Sequence, residues 1–527
     1  MTPHKRTQRP VDDMVADPQL VARNIRGAPK FIRAATWTKQ LKPLAGLPAG
    51  GARASLRRST WVGEGQAGKD RQVSTTPLAA RWSSRLGFVL AAVGSAVGLG
   101  NIWKFPYAAG SGGGGAFVAV YLAALLLIAA PIFIAETLVG RLGRGSPPTS
   151  LVRLTRPAAA RPFWAGFGYL SLVAVTLVLS FYSVVAGWSL AFVVEAATGG
   201  FAGGDPARIG ASFNAFLAQP LVLIFWQSLF MVATVAIVAR GVRGGIERAV
   251  DVMMPLLFLM LLALVVFAAV EGAFGQAVRY LFTPDFSKLD GPVILAAIGQ
   301  AFFTLGIGVG GVMTYGAYLD QRVSIPKATV MVVGADTAVA LLAGLAIFPL
   351  VFAHGLDPDQ GPGLVFVTLP IAFGKMAGGS AMGVLFFLLL AVAAVTSSVA
   401  IMTPFVAWLE ERGWARPRAA MTAGGTAWLL GLATVFSFNI WQDWHPLSMV
   451  PALAEATVFG IIDYVVTQLI LPLGGILLAI FAGWVLGRDD VRAALHLPDG
   501  WVFAVWRLAV RVVAPLGLTA VLVANLV

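Results

Sequence analysis

The sequence predicts an all-α integral membrane protein of about eleven transmembrane helices, and three observations lead there. Of its 527 residues 58% are hydrophobic and only 12% charged, with a mean hydropathy of +0.80, where soluble domains carry about 25% charged residues. Apolar runs long enough to cross a hydrocarbon core of about 30 Å recur from residue 86 onward. The 59 glycines, 30 prolines and 15 tryptophans suit helices broken in mid-membrane and anchored at its interfaces, where indole rings settle. No β-barrel alternation competes. Zero cysteines exclude disulfides, thiolate metal sites and a cysteine nucleophile, and leave the redox compartment open.

Residues 1–80 read as a basic, disordered cytoplasmic tail. Residues 1–85 hold 16 Lys and Arg against 5 Asp and Glu, so eleven of the thirteen net positive charges lie there. Pro10, Pro18, Pro29, Pro43 and Pro48 punctuate this stretch, and no apolar period is sustained. The remaining chain is nearly neutral, which argues against nucleic acid as a partner. A contact with anionic lipid, or an extension without a role, is the alternative for the tail. It lacks the successive charged, apolar and small-residue regions of a signal peptide.

The spans fall near 86–107, 115–140, 163–198, 219–239, 246–270, 292–319, 326–353, 376–409, 417–437, 456–485 and 501–526. The third and eighth runs exceed the roughly 20 residues a span needs, which predicts tilt or projection beyond the bilayer. Arg141, Arg144, Arg153, Arg156 and Arg161 follow the second span, and Arg240, Arg243 and Arg248 the fourth. Arg322 and Lys327 follow the sixth, and Arg412, Arg416 and Arg418 the eighth. The positive-inside rule puts these loops and the N-terminus in the cytoplasm. The intervening loops carry Glu195, Asp205, Glu271, Asp285, Asp290, Asp357, Asp359 and Asp443, and an odd number of spans sends the C-terminus outside.

Two spans carry glycine-rich breaks, GSAVGLGN at 94–101 in the first and LGIGVGG at 305–311 in the sixth. Each glycine costs a helix about 1 kcal/mol relative to alanine. The broken helices open two groups of five, the order of a 5+5 inverted repeat (about 81–272 and about 290–485) whose breaks meet at a midplane site. The segment 486–527 is then a peripheral eleventh helix. Close helix crossings use the same small residues, so the breaks alone leave that reading open.

The stretch RWSSRLGFVLAAVGSAVGLGNIWKFPYAAGSGGGGAF (81–117) resembles the first helix of the neurotransmitter:sodium symporter family, in its bacterial sodium-coupled amino-acid transporter branch. Glu136 with GR (140–141), SFYSVVAGW (180–188), GQAFFTLGIGVGG (299–311) and AAVTSSVAIMTP (393–404) follow in the family's order, and the resemblance covers about 85–527. It implies a multi-pass protein of the plasma membrane, the inner membrane of a bacterium, that is not an enzyme and imports amino acids with sodium by alternating access. A substrate-binding sensor that does not transport, and a proton-coupled amino-acid transporter acting through Asp336, are the alternatives. His4, His354, His445 and His496 are scattered without metal-site spacing, and no serine has a histidine and acid nearby in sequence, so a hydrolase finds no machinery.

An unwound helix exposes carbonyls to a hard cation, and the half-helix beyond it offers amides and a positive dipole to a carboxylate. A zwitterion fits that polarity. By resemblance, the substrate carboxylate meets the amides of Leu99 and Gly100 and the hydroxyl of Tyr182, and the amine meets carbonyls of Ala96, Phe303 and Thr304. Gly98 stands where carriers of monoamines place an aspartate, which favours amino acids. Val178, Tyr182, Phe303, Gly306, Val309, Ser397 and Ile401 line the side-chain pocket; Gly306 and Val309 leave room for a large aliphatic or aromatic group. Such a pocket separates substrates differing by one methylene by only ~1–3 kcal/mol.

The resemblance also implies two sodium sites. The first uses the Ala96 carbonyl, Asn101, Thr304 and Asp336. The second uses carbonyls of Gly94, Val97 and Ala393 with the hydroxyls of Thr396 and Ser397, for which back-bonding within the helix is the ordinary reading. Many members have asparagine at 336 and a chloride beside it. Tyr121, Gln300 and Thr304 match much of that anion pocket, but Asp336 brings its own charge and Ala340 no hydroxyl, which implies chloride-independent transport. An aspartate that is protonated, or held by hydrogen bonds alone, is the alternative.

For the outer gate the resemblance implies Lys104 with Asp463, above a lid of Phe303 and Tyr182. Lysine there gives up the planar fork of the family's usual arginine. For the inner gate it implies Trp82, Tyr318 and Glu411, with Arg81 substituting for an arginine that is Ala79 here. Gly245 and Pro255 form a glycine-x9-proline pair, for which the family implies unwinding of the fifth span and simple physics a proline kink. Glu136 would be costly unpaired in its apolar helix, and the resemblance implies that it bonds the unwound part of the sixth span. Membrane lipid is the remaining partner; the sequence leaves the oligomeric state open.

Overall fold

A computed structural model of the chain describes residues 82–358 and 363–526. The basic tail, Ala79, Arg81 and Asp359 lie outside the described residues. The described residues fold into helices and turns, with no strand among them. Nine helices among the described residues are long and apolar enough to cross a bilayer, and the pair Arg85–Ala96 and Gly100–Ser111, bent by 46°, makes a tenth span.

Each of the eleven expected runs falls on helix. After the bent first span come Gly115–Gly143, Ala158–Ala197, Pro220–Ala239 and Val242–Glu271. The sixth is two short helices, Gly291–Thr304 and Gly311–Ala317, separated by a non-helical stretch. Ile325–Ala353, Gly379–Glu410, Arg416–Phe436, Val458–Val485 and Trp501–Ala524 complete the order. At 40 residues the third span is about 60 Å long, about twice the hydrocarbon thickness, as its run predicts.

Local chemistry sets several starts. Ser84 accepts from the Gly87 amide at the head of the first span, Asp290 from the Val293 amide at the head of the sixth, and Ser324 from the Lys327 amide at the head of the seventh. Each side chain satisfies one of the amides a helix start leaves orphaned. The fifth span is continuously helical, opening with a wide π-type turn, Val242–Glu247, that contains Gly245; Pro255 lies inside the helix that follows. The segment is therefore wound in this conformation.

The third and eighth spans make the most extensive helix contact, and Arg85–Ala96 packs on the fifth, seventh and eighth. Gly311–Ala317 lies against the second span, where two glycines permit the crossing: a Cβ on Gly140 would fall on the Met313 carbonyl, and one on Gly316 on the Thr137 carbonyl. Leu221, Val232, Leu259 and Val266 of the fourth and fifth spans face outward, as lipid-facing side chains do.

Glu136 holds the sixth span's break. Fully buried in the second span, it accepts from the Gly308 amide at 2.8 Å, the Gly310 amide at 3.0 Å and the Met313 amide at 3.3 Å. A carboxylate is thus placed at the N-terminus of Gly311–Ala317, where helix amides and dipole favour negative charge. Removing it leaves buried amides unsatisfied, at about 1–3 kcal/mol each. Glu136→Ala is expected to cost at least about 3 kcal/mol, read as a lower melting temperature of the purified protein, with Glu136→Gln losing less. An alanine variant as stable as the parent would remove Glu136 from this role.

Candidate functional site

The first span breaks at Val97 and Gly98. Val97 turns extended, φ −73° and ψ 107°, while its amide still donates to the Val93 carbonyl at 2.7 Å. The Gly98 amide is taken by Asn101 Oδ1 at 3.0 Å. A Cβ at 98 would collide with Ser397 Oγ and stand 3.0 Å from the Tyr182 hydroxyl, so any side chain there would displace Ser397. In the sixth span Gly306, Gly308 and Gly310 take φ of 59°, 88° and 86°, the left-handed region that glycine enters freely. A Cβ on Gly308 would also press on the Leu471 carbonyl at 3.0 Å.

Between the two breaks lies a small cavity of about 60 Å³. All eleven residues expected around the substrate line it: Ala96, Leu99, Gly100, Val178, Tyr182, Phe303, Thr304, Gly306, Val309, Ser397 and Ile401. Ser95, Gly311, Ala400 and Leu471 join them, unforeseen because their own types are unremarkable at those positions. The Leu99 amide donates to the Tyr182 hydroxyl at 3.4 Å, so the two groups expected to meet a carboxylate are adjacent. The Phe303 carbonyl already accepts from the Gly306 amide at 3.0 Å.

Beside the cavity, Asn101, Thr304 and Asp336 form a fully buried polar cluster. Asn101 Nδ2 donates to Asp336 Oδ1 at 2.7 Å, to the Asp336 carbonyl at 3.1 Å and to Thr304 Oγ1 at 3.0 Å. The Thr304 hydroxyl reaches both Asp336 carboxylate oxygens, at 3.1 and 3.2 Å, and Tyr121 donates to Oδ2 at 3.5 Å. Gln300 Nε2 is occupied by the Gly100 carbonyl at 2.9 Å.

A second cluster joins the first and eighth spans. Ser397 Oγ donates across the interface to the carbonyls of Gly94 at 3.2 Å and Val97 at 3.1 Å. Thr396 donates within its own helix to the Ala393 carbonyl at 2.9 Å, so the ordinary back-bonding reading holds for it and not for Ser397. Gly94 stands against Thr396, at 3.3 Å from a built Cβ. The structure thus brings Gly94, Val97, Ala393, Thr396 and Ser397 together.

At the positions expected for the gates the geometry is more particular than the sequence. The Lys104 ammonium lies over the Phe303 ring, 3.9 Å from its centroid. Asp463 acts on it through space, but the ion pairs within 4.0 Å among the described residues do not include the two. At the other end, Trp82 Nε1 donates to the Tyr315 carbonyl at 3.2 Å and its amide to the Tyr318 carbonyl at 3.4 Å. Its ring meets those of Phe88, Tyr315 and Tyr318 edge-on. Glu411 acts on Tyr318 through space, and its oxygens accept from the Ser146 amide at 2.6 Å and from the Ser146 and Thr149 hydroxyls at 2.5 and 2.6 Å. The pair beside Tyr318 is Arg416 with Glu410, 3.0 Å apart. Sequence reasoning also missed Glu247 of the fifth span, which accepts from the Ser83 amide and hydroxyl. A serine two residues before a helix start carries no signal for a partner 164 residues away in the chain.

His354 and His496 follow helix ends, and no cluster of metal-binding side chains occurs among the described residues. The chain is 41% identical to the crystallised transporter MhsT in complex with L-phenylalanine, with a TM-score of 0.77 over 85% of this chain and 99% of that one. It is 36% identical to the uncharacterized sodium-dependent transporter YhdH of Bacillus subtilis (strain 168), over 84% of this chain and 96% of the relative. A taurine transporter of Bos taurus, sodium- and chloride-dependent, is 24% identical over 90% of this chain and 82% of its own. The profile of the sodium:neurotransmitter symporter family matches residues 79–204 and 219–527. With that match and the broken first and sixth spans around one cavity, the chain belongs to the sodium:neurotransmitter symporter family, whose members are membrane transporters and not enzymes.

Proposed function

We propose that this chain imports large hydrophobic or aromatic amino acids with sodium, by alternating access and without a requirement for chloride. The observation that carries the reading is the cavity between the two breaks, which sets the Leu99 amide and Tyr182 hydroxyl against a mostly apolar wall. That polarity suits the carboxylate of an amino acid at one end and an apolar side chain at the other. MhsT holding L-phenylalanine supports the aromatic preference.

Sodium is carried at two places on this reading. Hard cations take oxygen donors. The second cluster consists of them, and the first offers Thr304, Asp336 and, once it is released from the Gly98 amide, Asn101 Oδ1. Asn101, Thr304 and Asp336, with the Ala96 carbonyl, hold one ion next to the substrate carboxylate; Gly94, Val97, Ala393, Thr396 and Ser397 hold the other between the first and eighth spans. The first couples ion to substrate, and the second ties a helix that must move to one that frames it. Each ion entering a negative interior supplies about 2.3 kcal/mol per 100 mV besides its concentration gradient. Chloride is dispensable because the donors that would surround it are turned to other acceptors: Tyr121 and Thr304 to Asp336, Gln300 to Gly100.

Lys104 over Phe303 closes the outer side, with Asp463 the opposing charge; Trp82 and Tyr318 close the inner side. The two five-span repeats (about 81–272 and 290–485) supply one broken helix each, and 486–527 packs outside them. The tail and the arginine-rich loops face the cytoplasm, and the C-terminus lies outside the plasma membrane.

Phenylalanine, tryptophan, tyrosine or leucine should raise the melting temperature of the purified protein in sodium buffer and not in potassium, since a ligand of the folded state stabilises it. Stabilisation that ignores sodium would sink the coupling. Replacing chloride by gluconate should leave uptake into proteoliposomes unchanged; strict chloride dependence would overturn the role of Asp336. The double variant Thr396→Ala with Ser397→Ala should need about tenfold more sodium for half-maximal uptake, and an unaltered requirement would misplace the second site.

A further inference from the structure

A second cavity, of about 530 Å³, lies away from the substrate site and carries a different chemistry. Arg141 and Arg144 at the end of the second span, and Arg153 and Arg156 from the helix and turn after it, line one wall; the helix Arg488–Leu495 lines the other. One aspartate, Asp490, lies among these arginines, and Arg156 holds it at 2.6 Å. Asp320 acts on Arg141 from outside the lining, and its carboxylate accepts from the Arg322 amide at 2.8 Å. The cavity keeps an excess of guanidinium.

Arg141 is the informative residue. It is 3% exposed, and Nη1 donates to the Val323 carbonyl at 2.7 Å, while the buried Nη2 finds no acceptor among the described residues. A guanidinium nitrogen buried without an acceptor is costly, and its planar fork matches the paired oxygens of a phosphate. Arg153 is anchored with Nη1 on the Gly143 carbonyl at 2.5 Å, which fixes a second guanidinium on the same wall. Leu142, Leu154, Val485 and Leu486 give the cavity an apolar border. Fixed guanidinium groups next to an apolar border suit an amphiphile rather than a fully hydrated ion.

We propose that this cavity binds a phosphate group, and that the phosphate belongs to the headgroup of an anionic phospholipid whose acyl chains start against the apolar border. The bound lipid bridges the second span to the segment joining the tenth and eleventh. Through Arg141 on Val323 and Arg144 on the Ala317 carbonyl it also steadies the turn that carries Tyr318.

The test uses the purified full-length protein in detergent, titrated with phosphatidylglycerol, phosphatidylcholine or inorganic phosphate and read by native mass spectrometry and melting temperature. Arg141→Gln is compared with a double variant, Arg144→Gln with Arg153→Gln, which leaves the Arg141–Val323 bond intact should the first fail to fold. Phosphatidylglycerol is expected to bind the parent and stabilise it, with affinity falling about tenfold in the variants, and phosphatidylcholine to do neither. The basic tail is present in every protein, so it cannot produce that difference. Inorganic phosphate binding that the variants lose, without phosphatidylglycerol binding, would keep the phosphate site and overturn the lipid as its source. Equal binding of the two lipids, or of phosphatidylglycerol by parent and variants, would overturn the site.

Discussion

One buried carboxylate underlies the architecture. A helix cannot be interrupted in a low-dielectric interior unless the released amides find acceptors, and in the sixth span Glu136 takes three of them. With those amides satisfied, Gly306, Gly308 and Gly310 can turn through the left-handed region and Gly311–Ala317 can restart against the second span. The cavity wall made by Phe303, Thr304 and Val309 follows from that restart. The first span solves the same problem more locally, its Gly98 amide being taken by Asn101 three residues on. Asn101 in turn faces Asp336, so the repair of one break and the assembly of the polar cluster share a side chain.

The sequence was most informative where the bilayer constrains it. Span positions followed from apolar length, since backbone in lipid must be helical, and the two glycine-rich breaks were visible because glycine is otherwise wasteful there. The cavity lining was legible only through the family resemblance: nothing in the types of Val178 or Ile401 separates them from other apolar helix residues. Glu411 shows where this ends. The resemblance gives it a gate position, but its bonds to Ser146 and Thr149 were not legible, because a side chain at a helix end meets whichever amide arrives nearby in three dimensions. The Glu247 clasp on Ser83 and the arginine-lined cavity were hidden for the same reason.

The residues at the two ends of the site are held by unlike contacts. On one, a single ammonium rests on an aromatic face with an aspartate near but not in contact, an arrangement that a small ring rotation undoes. On the other, Trp82 is held by two backbone carbonyls and three aromatic rings. The buried indole thus has several partners to lose, where the ammonium has one ring.

The third span is far longer than the bilayer is thick, so it lies aslant or protrudes, and a membrane that thins or swells alters its slope. A rigid rod that changes slope sweeps its ends widely and its middle hardly at all. Val178 stands at the midpoint of Ala158–Ala197 and Tyr182 one turn beyond. The pocket wall is mounted at the fulcrum of a lever, where changes in the surrounding lipid reach it least.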